Sequence, residues 1–226
     1  TIVEAAFVTP LFLLFVMAIA ESGLFMRNYL GVSNAVRSSS RAASAAGAQV
    51  GLWNGSTPSE VASAALYTGI NVARESAAIP RGAIQYVVVY KATGFGAGPT
   101  EEEEDGVPSG CLNGVPRAGL CNVYTPAHFD LAARELAERA RHDQAKLTDA
   151  SDQLRASEIF FGCGPSSPDR HWCPNTRVNT LSGNNHSGPD YVGVYMRIRH
   201  DWLTGIFGEG RSISDQSVVK IEPRQK

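Results

Sequence analysis

The pattern of hydrophobic positions separates an oily N-terminal stretch from a mixed remainder. Between Ala5 and Ala20 every side chain is apolar or weakly polar, and NYLGVSNAVRSSSRAASAAG follows with many small residues. An apolar run of about this length can span a bilayer. Gly47 and the glycine-containing residues after it are typical of a helix end. We therefore predict one long helix over residues 1–47, serving as a transmembrane or filament-core element.

Residues 48–226 carry alternating helix and strand signals. STPSEVASAALYTGINVARESA begins with a capping residue and has Pro58 at a suitable first helical position. AIQYVVVYKATG is rich in β-branched and aromatic residues, as strands are. A second, amphipathic helix is predicted from Asp130. The stretch from Gly94 to Thr125 and residues 161–190 are predicted as two long loops.

The last part of the chain predicts two strands. YVGVYMRIRHDW alternates between two sets of residues, and ISDQSVVKIEP follows with Val219 and Ile221 on one face. In the first strand, one set comprises Val192, Val194, Met196 and Ile198, and the other comprises Tyr191, Tyr195, Arg197 and Arg199. Helices and strands in this order predict an α+β fold. In it a long hydrophobic helix precedes a globular head whose helices pack on a small antiparallel sheet.

Charge and motifs exclude several function classes. The chain has 20 Lys+Arg and 22 Asp+Glu, and this balance argues against a nucleic-acid binder, which shows a concentrated basic face. The five histidines are scattered, and no phosphate loop, dinucleotide fingerprint or nucleophile elbow is present. The acidic block Glu101–Asp105 lacks the alternating ligand spacing of a calcium loop. We expect no catalysis, no metal and no cofactor.

The four cysteines fall into two pairs with equal spacing, Cys111 with Cys121 and Cys163 with Cys173. Thr1 is not a start residue, so we expect a processed product or a fragment, and a removed leader would suit export. Disulfides form in exported proteins, and two local bridges are favoured, although four cysteines allow three connectivities.

Glu4 and Pro10 are unexpected in an oily helix. A signal peptide would explain the small residues of Ala18–Ala20 but not an acidic start. A simple membrane anchor tolerates a carboxylate only where it is paired or lies among headgroups. The third interpretation is a helix that spans the membrane temporarily and then packs against copies of itself.

In such a bundle, Glu4 meets the α-amino group of a neighbouring chain. An unpaired charge in an apolar bundle is penalised, so this contact would set the axial register of the subunits. Pro10 cannot donate a hydrogen bond to the carbonyl of Ala6, so the helix is expected to bend or loosen there.

Glu4, Pro10, Glu21 and the stretch RSSSRAASAAG together resemble TadE/TadG-like pilins of the tight-adherence (Tad) class of type IV pili. The C-terminal stretch GIFGEGRSISDQSVVKIEP resembles the ends of such proteins. Glu4 stands one position earlier than the acidic residue of that family, which leaves its amino partner open. The resemblance implies a prepilin cut by a prepilin peptidase, held in the inner or plasma membrane, and added to a helical filament by an ATPase-driven machine.

The expected function is therefore a structural pilin subunit of an extracellular filament that supports adhesion. Its expected partners are identical subunits in a homopolymer, other pilins, the assembly machinery and, before assembly, the membrane, with no nucleic acid. The predicted assembly residues are Thr1, Glu4 and Pro10, and the predicted helix-packing residues are Ala5, Phe7, Leu11, Leu14 and Phe15. The alternative is a monomeric membrane-anchored adhesin or binding module, in which the helix is only a tether.

Overall fold

A computed structural model describes residues 2–48, 68–93, 106–130, 167–178, 189–205 and 207–221. The helices are α1 (Ile2–Ala48), α2 (Thr68–Glu75) and α3 (Ser109–Leu112). The strands are β1 (Ile84–Ala92), β2 (Cys121–Tyr124), β3 (Tyr191–His200) and β4 (Arg211–Lys220). The predicted fold class is confirmed, since a long apolar helix precedes a head with a small antiparallel sheet.

The four strands form one sheet in the order β2-β1-β3-β4, and every neighbouring pair is antiparallel. The predicted alternation along β3 is confirmed. Val194 and Met196 join the core on one face of the sheet, and Tyr195 joins a smaller core on the other. Successive side chains of a strand point to opposite faces, so each face of β3 contributes to a different core.

The C-terminal half of α1 covers the first face of the sheet. Val32 and Val36 are fully buried against strand residues such as Val194. Small polar residues allow a close approach at the end of the helix. The hydroxyls of Ser40 and Ser217 lie 3.0 Å apart, and Ser44 donates to the carbonyl of Lys220 at 2.9 Å. Helix and sheet are thus joined by apolar burial and by specific hydrogen bonds.

The second face is covered by the chain around α3. Cys111 and Cys121 form a disulfide and are both fully buried there, so the predicted local bridge is present. On the same face, Tyr90 lies opposite Gly193 in the register of β1 and β3. A Cβ added at Gly193 would lie 2.1 Å from the Tyr90 ring, so the glycine leaves the space that the ring occupies.

The prediction of a continuous loop from Gly94 to Thr125 is wrong in its second half, which contains α3 and β2. The four residues of β2 are all buried, and they pair with residues 87–90 of β1. A segment of four residues has too little pattern to be recognised as a strand, because its pairing partner lies more than thirty residues earlier.

Several other predictions concern residues outside the described ranges. They include the acidic block Glu101–Asp105 and most of the helix predicted from Asp130, although residues 126–130 are helical. The predicted helix at residues 56–77 is described only from Thr68, where it appears as α2. In the second predicted loop, the described part holds two short 3-10 helices, Pro168–Trp172 and Pro174–Thr176.

Candidate interaction surface on the N-terminal helix

The first half of α1 is an exposed apolar surface. Phe7 is 79% exposed, Leu11 71% and Phe15 67%, and Ala5 and Leu14 are exposed as well. These are the five residues predicted to pack in a helix bundle. Leaving a Leu or Phe side chain in water forfeits about 1.5–3 kcal/mol relative to burial. A contiguous surface of this kind marks contact with lipid or with another protein.

The length of this surface matches a bilayer. From Ile2 to Glu21 the helix rises about 30 Å at roughly 1.5 Å per residue. The hydrocarbon core of a bilayer is also about 30 Å thick. Within the described ranges, one helix is long and apolar enough to cross a membrane, and it is α1. The first half of α1 therefore fits membrane anchoring.

Glu21 marks the point where α1 meets the head. It is followed on the same helix face by Phe25, Asn28, Val32 and Val36, at intervals of three and four residues. Val32 and Val36 are fully buried, and Glu21 is only 2% exposed. One stripe of α1 is thus covered by the head from Glu21 onward, whereas residues 5–20 are almost entirely exposed.

The buried carboxylate of Glu21 is bound by the loop between β3 and β4. Its Oε1 accepts hydrogen bonds from the backbone N–H of Thr204 at 2.6 Å and from the Thr204 hydroxyl at 2.5 Å. Its Oε2 is buried and makes no hydrogen bond within the described part of the chain. The sequence placed Glu21 at the end of the oily run, but it gave no sign of this contact across 183 positions.

Aromatic rings extend the contact between α1 and the β3–β4 loop. The Phe25 ring stacks on Trp202 with centroids 5.7 Å apart, and it meets His200 edge-on at 5.5 Å. Phe207 lies against Trp202 at 5.2 Å. The side-chain nitrogen Nδ2 of Asn28 and the ring nitrogen Nδ1 of His200 are hydrogen-bonded at 2.8 Å. The position of the loop along α1 is therefore fixed at two successive turns of the helix.

The apolar surface of α1 does not stop at Glu21. Met26 is 55% exposed, Tyr29 47% and Leu30 53%, although the covered stripe has already begun. Gly23 is also open, since a Cβ added there would meet nothing within 4 Å. The uncovered side of α1 thus presents large apolar side chains for about 13 Å past Glu21, at roughly 1.5 Å per residue, together with the exposed Arg27.

A buried polar network holds the C-terminal end of α1. The guanidinium of Arg177 lies 4.2 Å from the ring centroid of Trp172, and it donates to the carbonyl of Ala43 at 3.3 Å. Nearby, Tyr124 donates its hydroxyl proton to Asp169. Burial, followed by the charge of Asp169, raises the pKa of Tyr124 well above its ordinary value of 10.0. This network serves packing, and Trp172 is buried within it.

Cys173, next to this network, is also disulfide-bonded. Its predicted partner, Cys163, lies outside the described residues. The second local bridge therefore remains a prediction.

The predicted assembly residues lie at the far end of α1. Glu4 belongs to the first turn of the helix, and Thr1 lies outside the described residues. The helix continues through Pro10 without interruption. A single chain does not bring Glu4 to a neighbour's amino group, so the roles of these three residues stay predictions.

The model of the TadE-like protein family matches residues 1–41. No curated protein and no solved structure matches the chain. The matched range contains the exposed apolar half of α1, Glu21 and the start of the covered stripe. The resemblance stated from the sequence is confirmed over this range: residues 1–41 are similar to the N-terminal part of TadE-like proteins, and the match suggests a pilin-like protein related to the Tad pilus.

Proposed function

We propose that this chain is a structural pilin subunit that polymerises through α1 into an extracellular Tad-type filament and supports surface attachment. The observation that carries the proposal is the surface of large apolar side chains that runs along α1 from Phe7 to Leu30, with the exposed Arg27 as its one cation, and that is longer than a membrane requires. Before assembly, the first part of this surface spans the inner or plasma membrane. In the filament, the α1 helices of other subunits cover all of it.

The residues beyond Glu21 favour assembly over simple anchoring. A bilayer covers α1 up to about Glu21, and the head then covers one side of the helix. Met26, Tyr29 and Leu30 remain exposed on the other side. Helices pack by inserting ridges of side chains into grooves, and an open glycine such as Gly23 permits a close approach. A monomeric anchored adhesin has no need for this second apolar surface.

Glu4 is proposed to set the axial register of the filament. A carboxylate in an apolar bundle is stable only with a partner, and the α-amino group of a neighbouring subunit supplies one. A subunit that is out of register leaves both charges unpaired. Pro10 removes one backbone hydrogen bond and lets α1 adjust as it moves from lipid into the bundle.

The proposal is tested with Leu30→Lys, which places a charge on the apolar surface beyond the membrane segment. We expect normal amounts of protein in the membrane fraction and no incorporation into filaments, because the lysine would be buried between helices without a partner. Glu4→Ala should likewise leave membrane insertion intact and abolish incorporation into filaments. Gln85→Lys adds the same charge at an exposed position of the head and serves as the matched control.

Filaments of normal abundance from Leu30→Lys would contradict burial of this surface between subunits. Normal filaments from Glu4→Ala would contradict the register role alone. If the wild-type chain stays with the membrane and no filament contains it, the anchored adhesin becomes the better account.

A further inference from the structure

The β3–β4 loop exposes apolar side chains beside α1. Leu203 is 74% exposed and Phe207 49%. Leu203 lies between Trp202 and Thr204, and the Phe207 ring lies against Trp202. Thr204 is hydrogen-bonded to Glu21, and Trp202 is stacked on Phe25. Large apolar residues at a loop tip, next to a well-packed contact, mark an interaction surface.

The attachment of the loop fixes its depth relative to a bilayer. Glu21 lies about 30 Å along α1 from Ile2, which equals the thickness of the hydrocarbon core. A loop bound to Glu21 therefore lies at the level where acyl chains give way to headgroups. Aromatic residues are enriched at this level, because their amphipathic rings suit the interface. The apolar residues of the loop and the exposed part of α1 thus form neighbouring surfaces.

The charges near the loop identify the kind of membrane. Arg199 and Arg211 flank the loop, and Asp201 and Glu209 lie within it, so the four formal charges cancel. Arg199 and Asp201 are in addition paired at 2.9 Å. Arg27, exposed on α1 about 9 Å past Glu21 at roughly 1.5 Å per residue, adds one positive charge. One net positive charge does not make the polybasic surface that selects anionic lipids. Its contact with a bilayer is expected to depend on apolar burial and to occur with neutral lipids.

We propose that the β3–β4 loop is a second membrane contact, in which Leu203 and Phe207 enter the interfacial layer of the bilayer while the subunit awaits assembly. This inference rests on the membrane stage of the proposed function. The loop holds the head against the membrane surface. It must leave the lipid when α1 is extracted into a filament, so its two apolar side chains belong to the membrane-held state.

The test measures depth in neutral phosphatidylcholine vesicles that contain the full chain. Leu203→Trp introduces a fluorophore at the loop tip, and its emission is obtained by subtracting that of the parent protein. Lipids brominated near the headgroup end of the acyl chains quench a nearby tryptophan. We expect them to reduce the added emission at least about twofold, as for an interfacial side chain. Val115→Trp, at a similarly exposed apolar position over the other sheet face, should be unaffected.

A third variant separates this inference from the proposed function. Phe12→Trp lies in the exposed part of α1 and should be quenched by bromines deep in the bilayer if the helix spans it. Quenching of Phe12→Trp without quenching of Leu203→Trp overturns the loop contact and leaves the membrane stage intact. Absence of quenching in both overturns both. Equal quenching of Val115→Trp overturns the specific role of the loop. If Leu203→Trp does not fold, Phe207→Trp takes its place in the same measurement.

Discussion

The contact between Glu21 and Thr204 allows a quantitative prediction. Glu21→Ala removes the acceptor of two hydrogen bonds, from the Thr204 amide and the Thr204 hydroxyl. Hydrogen bonds to a charged group contribute about 1.5–3 kcal/mol each, so the two together contribute about 3–6 kcal/mol. The unpartnered Oε2 of the same carboxylate offsets about 1–3 kcal/mol of this, because a buried polar atom without a partner is costly.

The net loss on Glu21→Ala is therefore about 0–5 kcal/mol, with a central value of about 2.5 kcal/mol, concentrated at the β3–β4 loop. Glu21→Gln is the matched variant, since it keeps an acceptor oxygen and nearly the same shape. Its amide accepts neutral hydrogen bonds, which contribute about 0.5–1.5 kcal/mol each. We expect its effect to lie between those of the wild type and Glu21→Ala.

Amide hydrogen exchange in detergent-solubilised protein measures this loss at the residue concerned. At about 1.36 kcal/mol per factor of ten, the central value of about 2.5 kcal/mol predicts that the Thr204 amide exchanges about 70-fold faster in Glu21→Ala. The Val89 amide, in the central strand β1, serves as an internal control and should change much less. Unchanged exchange at Thr204, or equal acceleration by the Gln and Ala variants, would refute the reasoning.

Three further predictions concern the head. Replacing Cys111 and Cys121 by serine opens a loop with a separation of 10 residues. It should lower the free energy of unfolding by about 2.7 kcal/mol, measured by denaturant titration, and an unchanged midpoint would argue against this. Gly193→Ala forces the Tyr90 ring to move and should lower the unfolding free energy by about 1–3 kcal/mol in the same titration, whereas a neutral effect would contradict the close contact. Burial lowers the pKa of His128 in the folded protein below its ordinary 6.5. The contribution of the neutral side chain to the free energy of unfolding is therefore complete above about pH 6.5, and it is lost as the pH falls through the lower pKa of the folded state. Acidification from about pH 7 to about pH 5 should destabilise the wild type more than His128→Gln, and an NMR titration with a pKa at or above 6.5 would disprove the shift.

Local patterns in the sequence predicted the elements that local physics determines. The alternation along β3 follows from the period of a strand with both faces covered, and the Cys111–Cys121 bridge follows from short separation. The apolar run of α1 is equally local. The domain division at residue 47 and the second disulfide remain predictions.

Contacts between distant residues were not predictable from the sequence. The four-residue strand β2 becomes a strand only through its pairing with β1. The hydrogen bonds of Glu21 depend on a loop 183 positions away. From the sequence alone, a carboxylate at the end of a membrane segment is expected to lie among the lipid headgroups rather than to be buried by the head. The exposure of Leu30 depends on which side of the helix the head covers, and contacts between distant residues determine that side.

The most direct test of the central claim is to shear cells that produce this chain and to image the released material by electron microscopy with immunogold labelling of the head. Polymerisation through α1 predicts filaments labelled along their length, together with loss of the label from filaments when cells produce Leu30→Lys. Chain that stays entirely with the membrane fraction, or released filaments without label, would contradict the claim.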